Sequence, residues 1–177
     1  MRLAGHGLTV DLPARWEGTI GRRPADPGAA SAAAGARMAA AALPQEQLLP
    51  VAHLATFPLP ADRGDFGSGA VDLMGGGDVF LAIVEYGPEC AGTALFAPRP
   101  RLPQLLAGQF GAARLQRVQK GQAGAQVFCT VGGRAFCVYA VVGAASRAAA
   151  LAREANAVLA ATEVAARAAE QSGGYMP

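Results

Sequence analysis

Residues 125–142 read AQVFCTVGGRAFCVYAVV, and this stretch decides the fold. Two runs rich in β-branched and aromatic residues flank Gly132-Gly133. A two-residue hairpin turn of type I′ needs φ > 0 at both central positions, which glycine supplies without steric cost. The pair therefore predicts an antiparallel hairpin of Ala125–Val131 and Arg134–Val142. Facing residue numbers then sum to 265, so Val127 faces Val138 and Phe128 faces Cys137. Cys129 and Cys137 fall on opposite sides of the sheet, because side chains alternate along a strand. Both faces of the hairpin are apolar, which implies cover on both.

The neighbouring segments extend the sheet. Val79–Tyr86 (VFLAIVEY) is apolar on both alternating sets, Val79/Leu81/Ile83 and Phe80/Ala82/Val84; a strand covered on both faces lies centrally in its sheet. Gly7–Pro13 alternates Leu8, Val10 and Leu12 with Thr9 and Asp11, the period-2 pattern of a strand with one buried face. Trp16–Arg22, Pro50–Pro60 and Ala112–Gln119 complete a set of about six strands. Gly-rich 65–77 holds a short helix near Ser68–Met74. Ser146–Ala169 predicts a long helix capped by Ser146, with Leu151, Ala155, Val158, Leu159 and Thr162 on one stripe and Glu163 and Arg167 as an i,i+4 pair. Strands come first and the long helix last, without strand–helix alternation, so the class is α+β: a mainly antiparallel sheet covered by helices.

Composition bounds the rest. The chain has 177 residues, with 42 Ala and 23 Gly, only 16% charged residues and a net charge of +2. The length predicts one domain, residues 1–169, followed by a flexible tail at 170–177. Pro24–Gln47 (PADPGAASAAAGARMAAAALPQEQ) has no large apolar stripe to dock, and reads as a mobile Ala/Pro-rich insertion. Arginines are scattered rather than gathered in a basic stripe, which argues against nucleic acid. No run reaches the ~18 apolar residues of a membrane helix, and the first twenty residues lack the apolar core of a secretory signal; a cytoplasmic location is expected. The three cysteines are odd in number and outside any CxxC spacing, so neither a disulfide framework nor a zinc site is expected.

The opening strand followed by Leu12-Pro13-Ala14-Arg15-Trp16, the strand meander and the closing helix resemble the Mog1/PsbP-type α/β/α sandwich. The stretches DVFLAIVEYGPECAG, GQAGAQVF and ANAVLA are similar to uncharacterised actinobacterial proteins of about this size. The resemblance implies an adaptor or accessory subunit and carries over no site residue.

Candidate chemistry is sparse. His6 and His53 are the only imidazoles. Ser68 sits in FGSGA, which is not the strand-borne GxSxG of a nucleophile elbow. The Gly-rich loop at 64–77 lacks the GxxxxGK[ST] of a phosphate-binding loop. Glu85/Glu89 and Asp62/Asp65 flank loops, and Cys90 follows Glu89, whose charge opposes thiolate formation. No catalytic residue, cofactor or metal is expected. The expected function is a non-enzymatic adaptor that binds a partner protein, with Trp16, His53, Arg99, Arg101, Arg114 and Arg117 as candidate contacts. One alternative is a small-molecule or lipid-binding module with a pocket lined by Trp16, Phe57, Phe80 and Phe136. Another is an enzyme using His53 with Glu85. An edge strand could also pair with a second copy of the chain.

Overall fold

A computed structural model describes residues 1–24 and 48–167. The Ala/Pro-rich segment and the C-terminal tail singled out in the sequence lie outside the described residues, apart from Pro24 itself.

The strands form two antiparallel sheets, not one sheet of about six strands. The smaller sheet holds β1 (Arg2–Gly5), β2 (Leu8–Asp11) and β8 (Thr162–Val164), in the order β1-β2-β8. The larger holds β3 (Glu17–Pro24), β4 (Leu48–Ala55), β5 (Val79–Tyr86), β6 (Ala123–Val131) and β7 (Arg134–Val142), in the order β3-β4-β5-β7-β6. The apolar β5 lies at its centre, as its two buried faces require. The β6–β7 hairpin turns at Gly132 (φ 58°) and Gly133 (φ 73°), with Val127 opposite Val138 and Phe128 opposite Cys137.

Two elements escape the sequence pattern and split the sheet. β1 is short and only half apolar, yet it pairs with β2 through a two-residue turn at His6 (φ 51°) and Gly7 (φ 76°). The long helix is shorter than expected: α1 spans Ala148–Ala160, preceded by a 3-10 turn at Ala145–Arg147. It neither starts at Ser146 nor reaches Ala169. Thr162 donates its hydroxyl to the Val158 carbonyl (2.8 Å), and the chain then pairs as β8 with the free edge of β2. Strand pairing outweighs the helix propensity of the alanines that follow. Glu163 and Arg167 therefore do not share a helix face.

Helical cover lies on one face of the five-stranded sheet only. There Leu8, Val10, Leu12 and Trp16 pack with Leu54, Leu81, Ile83, Phe136 and Val138, under Leu151, Ala155, Val158 and Leu159 of α1. The other face buries Phe57, Phe80, Val84, Tyr86, Phe96, Cys137 and Tyr139. Loops cover it, with Phe66 and Leu115 as half-buried plugs. Ala112–Gln119 is one of these loops rather than a strand. It makes a 3-10 turn at Ala112–Arg114, one bridge from Gly111 to Gly124, and a bond from Gln116 N–H to the Tyr139 hydroxyl (3.2 Å). The helix expected near Ser68–Met74 is reduced to a 3-10 turn at Val71–Leu73. Among the described residues no helix is long and apolar enough to cross a membrane.

Candidate functional site

Arg134 opens β7 directly after the glycine turn, and Glu85 lies near the end of β5 on the same sheet face. Both are buried, at 6% and 3% exposure. The guanidinium grips the carboxylate in a fork, Nε to Oε1 at 3.0 Å and Nη2 to Oε2 at 2.6 Å. Its remaining hydrogens go to the carbonyls of His6 (2.9 Å), Gly7 (2.9 Å) and Ala165 (3.3 Å). All five N–H donors of the group are used, the fullest pairing an arginine can reach. Arg167 adds a second, half-exposed contact to Glu85 Oε1 at 3.3 Å. The cluster ties the β1–β2 turn and the residue after β8 to the larger sheet. It floors an open cleft of about 360 Å³ that Arg22, Leu49 and Pro50 also line. Both oxygens of the carboxylate are engaged in ion pairs.

His53 sits on the opposite face of the sheet. β4 pairs with β5 so that His53 faces Ala82, and Glu85 alternates with Val84 to the other side. The two residues of the enzymatic alternative are therefore separated by the sheet itself. His53 is 5% exposed. Its Nδ1 accepts from Arg63 Nε at 3.0 Å, so Nε2 carries the proton and donates to the Asp65 carbonyl at 2.8 Å. Burial is the main cause that pushes its pKa below the ordinary 6.5, the Arg63 charge acts in the same direction, and the Asp65 carbonyl opposes both. Arg63 also bonds the Pro60 carbonyl and the Thr19 hydroxyl. Nearby, buried Arg23 approaches Asp65 Oδ2 with its Nε at 3.2 Å. That N–H is not aligned for a hydrogen bond and has no other partner. The arrangement pins the loop at 60–66 to the sheet.

The remaining candidates scatter. Trp16 is buried in the first core. Arg99 and Arg101 share an open cleft of about 380 Å³ with Asn156 and Leu159 of α1. Arg117 is elsewhere, paired with Asp72 at 2.5 Å beside a cleft of about 230 Å³ lined by Phe66 and Tyr139. The aromatic quartet expected to line one pocket is divided: Trp16 and Phe136 pack on one face, Phe57 and Phe80 on the other. Cys129 and Cys137 are buried on opposite faces, and burial pushes their thiols up to about 11 and about 12. Cys90 is half-buried, and burial first and Glu89 second raise its pKa. No group of three metal-ligating side chains occurs among the described residues.

A feature missed from sequence lies on β6, the edge of the larger sheet. Thr130 bonds outward through both backbone groups: its N–H to the Ala97 carbonyl (3.1 Å), its carbonyl to the Arg99 N–H (2.8 Å). Gly124 does the same with Gly111, at 3.1 and 2.9 Å. Outward backbone groups recur every second residue, so Gln126 and Phe128 also point out. No backbone group among the described residues reaches them. Gln126, Val127 and Phe128 are the only half-buried positions of a strand otherwise buried along its length. The edge is thus closed at both ends and open in the middle.

The stretch of chain that contains this opening is rich in basic residues. Between Glu89 and Glu154 the chain contains no acidic residue and eight basic ones. Of these, Arg134 and Arg117 are paired with carboxylates, whereas Arg99, Arg101 and Arg114 are exposed and without an acidic partner among the described residues. The acid-free run is legible in the sequence and could have drawn attention here.

Comparison with known proteins finds no matching family model, no matching curated protein and no matching solved structure.

Proposed function

We propose that the protein is a non-enzymatic cytoplasmic adaptor that binds a partner protein along the open middle of β6. The carrying observation is the unpaired outward backbone of Gln126 and Phe128 between two closed ends. An exposed strand edge offers ready-made hydrogen bonds to an extended segment of another protein, and neighbouring side chains supply selectivity. Three further points support the reading. Among the described residues the one buried histidine and the one buried carboxylate are each held by arginine, on opposite faces. The aromatic residues that could line a ligand pocket are divided between two cores. The Leu12–Trp16 motif resembles Mog1/PsbP-type proteins, which are mostly adaptors.

The test is quantitative affinity capture with the full chain and its Gln126→Pro variant. Proline removes the outward N–H at 126 and leaves the β6–β7 bonds, made by the alternate residues, in place; edge strands tolerate such a substitution. A stoichiometric partner lost at least tenfold with Gln126→Pro, at an unchanged melting temperature, supports the proposal. Equal recovery by both chains overturns it.

A further inference from the structure

We infer that the occupant of the β6 edge is an extended acidic segment: about three apolar residues flanked by carboxylates. The inference rests on the adaptor reading and specifies its ligand. The length follows from the frame. Gly124 and Thr130 are six residues apart, about 20 Å at ~3.3 Å per residue, and both already have outer partners. Among the described residues only the lane beside Gln126, Val127 and Phe128 is left without a backbone partner, which admits about three residues before the added strand must turn away.

The apolar centre follows from the two faces of β6. Val127 packs against the core under α1, and Phe128 against the core under the loops, where it meets Phe96 and Tyr86 edge-on (ring centroids 5.2 and 6.2 Å). All three positions are only half-buried. A strand laid alongside places successive side chains over one face and then the other, beside Val127 and Phe128. Apolar groups on both of its faces gain cover.

The acidic flanks follow from charge. Arg99 supplies the backbone that closes the Thr130 end, and the carbonyl of Arg114 lies against Gly124 at the other. Both side chains are exposed, Arg101 stands beside the first, and no carboxylate lies in the chain from residue 90 to residue 153. A basic segment would meet repulsion at both ends, whereas an acidic one is steered in. A second copy of β6 fits poorly. An antiparallel self-pair centred on Val127 would set Gly124 against the copy's Thr130, and Gly111 and Ala97–Arg99 already occupy those outer positions.

The experiment selects a display library of random ten-residue peptides on the full chain and counter-selects on Gln126→Pro. Recovered peptides are then synthesised with a fluorescent label and titrated by anisotropy at low and at 0.3 M salt. Expected are peptides with a short apolar core between Asp or Glu residues. Their affinity falls at least tenfold in Gln126→Pro and in Arg99→Glu/Arg114→Glu, and several-fold on adding salt. Peptides enriched over Gln126→Pro but neutral or basic would overturn the acidic assignment and leave the edge reading standing. No enrichment over Gln126→Pro would overturn both. Sedimentation of the chain alone provides the last outcome: self-association abolished by Gln126→Pro would assign the lane to a second copy and overturn the inference.

Discussion

Glu85→Gln removes the charge of the buried carboxylate while keeping its shape. Arg134 then remains nine-tenths buried with its three backbone carbonyls but no counter-ion. Breaking a buried pair from one side costs about 3–5 kcal/mol, chiefly because the orphaned charge stays desolvated. For a domain of this size each kcal/mol shifts Tm by about 2–4 °C, so a loss of roughly 6–20 °C is expected. Arg134→Met should cost at least as much, since it also frees the His6, Gly7 and Ala165 carbonyls. Glu85→Met/Arg134→Met should be milder than the sum of its singles, because neither charge is left alone. Arg167→Ala touches the same carboxylate from a half-exposed position and should cost under about 1 kcal/mol. Equilibrium urea denaturation followed by circular dichroism measures these four variants and the Glu85→Met single that completes the cycle. A Glu85→Gln loss below about 1 kcal/mol, or additive singles, would refute the claim that this pair anchors the cluster joining the two sheets.

Three further expectations concern stability and reactivity. The folded state holds His53 neutral with a lowered pKa; the unfolded chain takes up the proton first, so stability present above pH 6.5 falls as the pH drops below it. Melting temperatures from pH 8 to pH 5 should show that decline and lose part of it in His53→Gln; an identical profile in the variant would count against the assignment. Gly143→Ala would drive its Cβ into the Gly75 carbonyl and should cost about 1–3 kcal/mol. At Gly21 the same change meets no atom of the described residues within 4 Å and should be neutral or gain up to about 0.5–1 kcal/mol. Thermal melts of the two variants provide the comparison, and equal effects would contradict the packing described. In the native protein one thiol, Cys90, should react with a disulfide reagent at pH 8, more slowly than free cysteine, while Cys129 and Cys137 react only after unfolding. Three fast equivalents would be inconsistent with this burial.

Local rules account for what was readable. Gly132-Gly133 set the hairpin and its register because left-handed backbone is cheap only for glycine. The doubly apolar Val79–Tyr86 placed itself at the sheet centre, and Leu151, Ala155, Val158 and Leu159 marked the buried face of α1. The placement of His53 with Val51 and Ala55 followed from alternation. These inferences need only the chain's own periodicity and turn chemistry.

What tertiary structure decided involves residues far apart in the chain. β8 forms because β2 offers an edge about 150 residues upstream, which three residues, Thr162-Glu163-Val164, in an alanine-rich segment do not encode. With the β1–β2 pairing it makes up the second sheet. Glu85 and Arg134 lie 49 residues apart; each alone is an ordinary charged residue, and only the fold makes them a buried pair. The opening on β6 arises because two distant loops cross the edge at Gly124 and Thr130 and nowhere between. The sequence by itself determined β2 to β7 and the faces they bury, because those follow from neighbours in the chain; β1 and β8 were not legible there, and the strand expected at Ala112–Gln119 is a loop. Partners across the chain, and the edge left without one, emerged only when long-range pairing was complete.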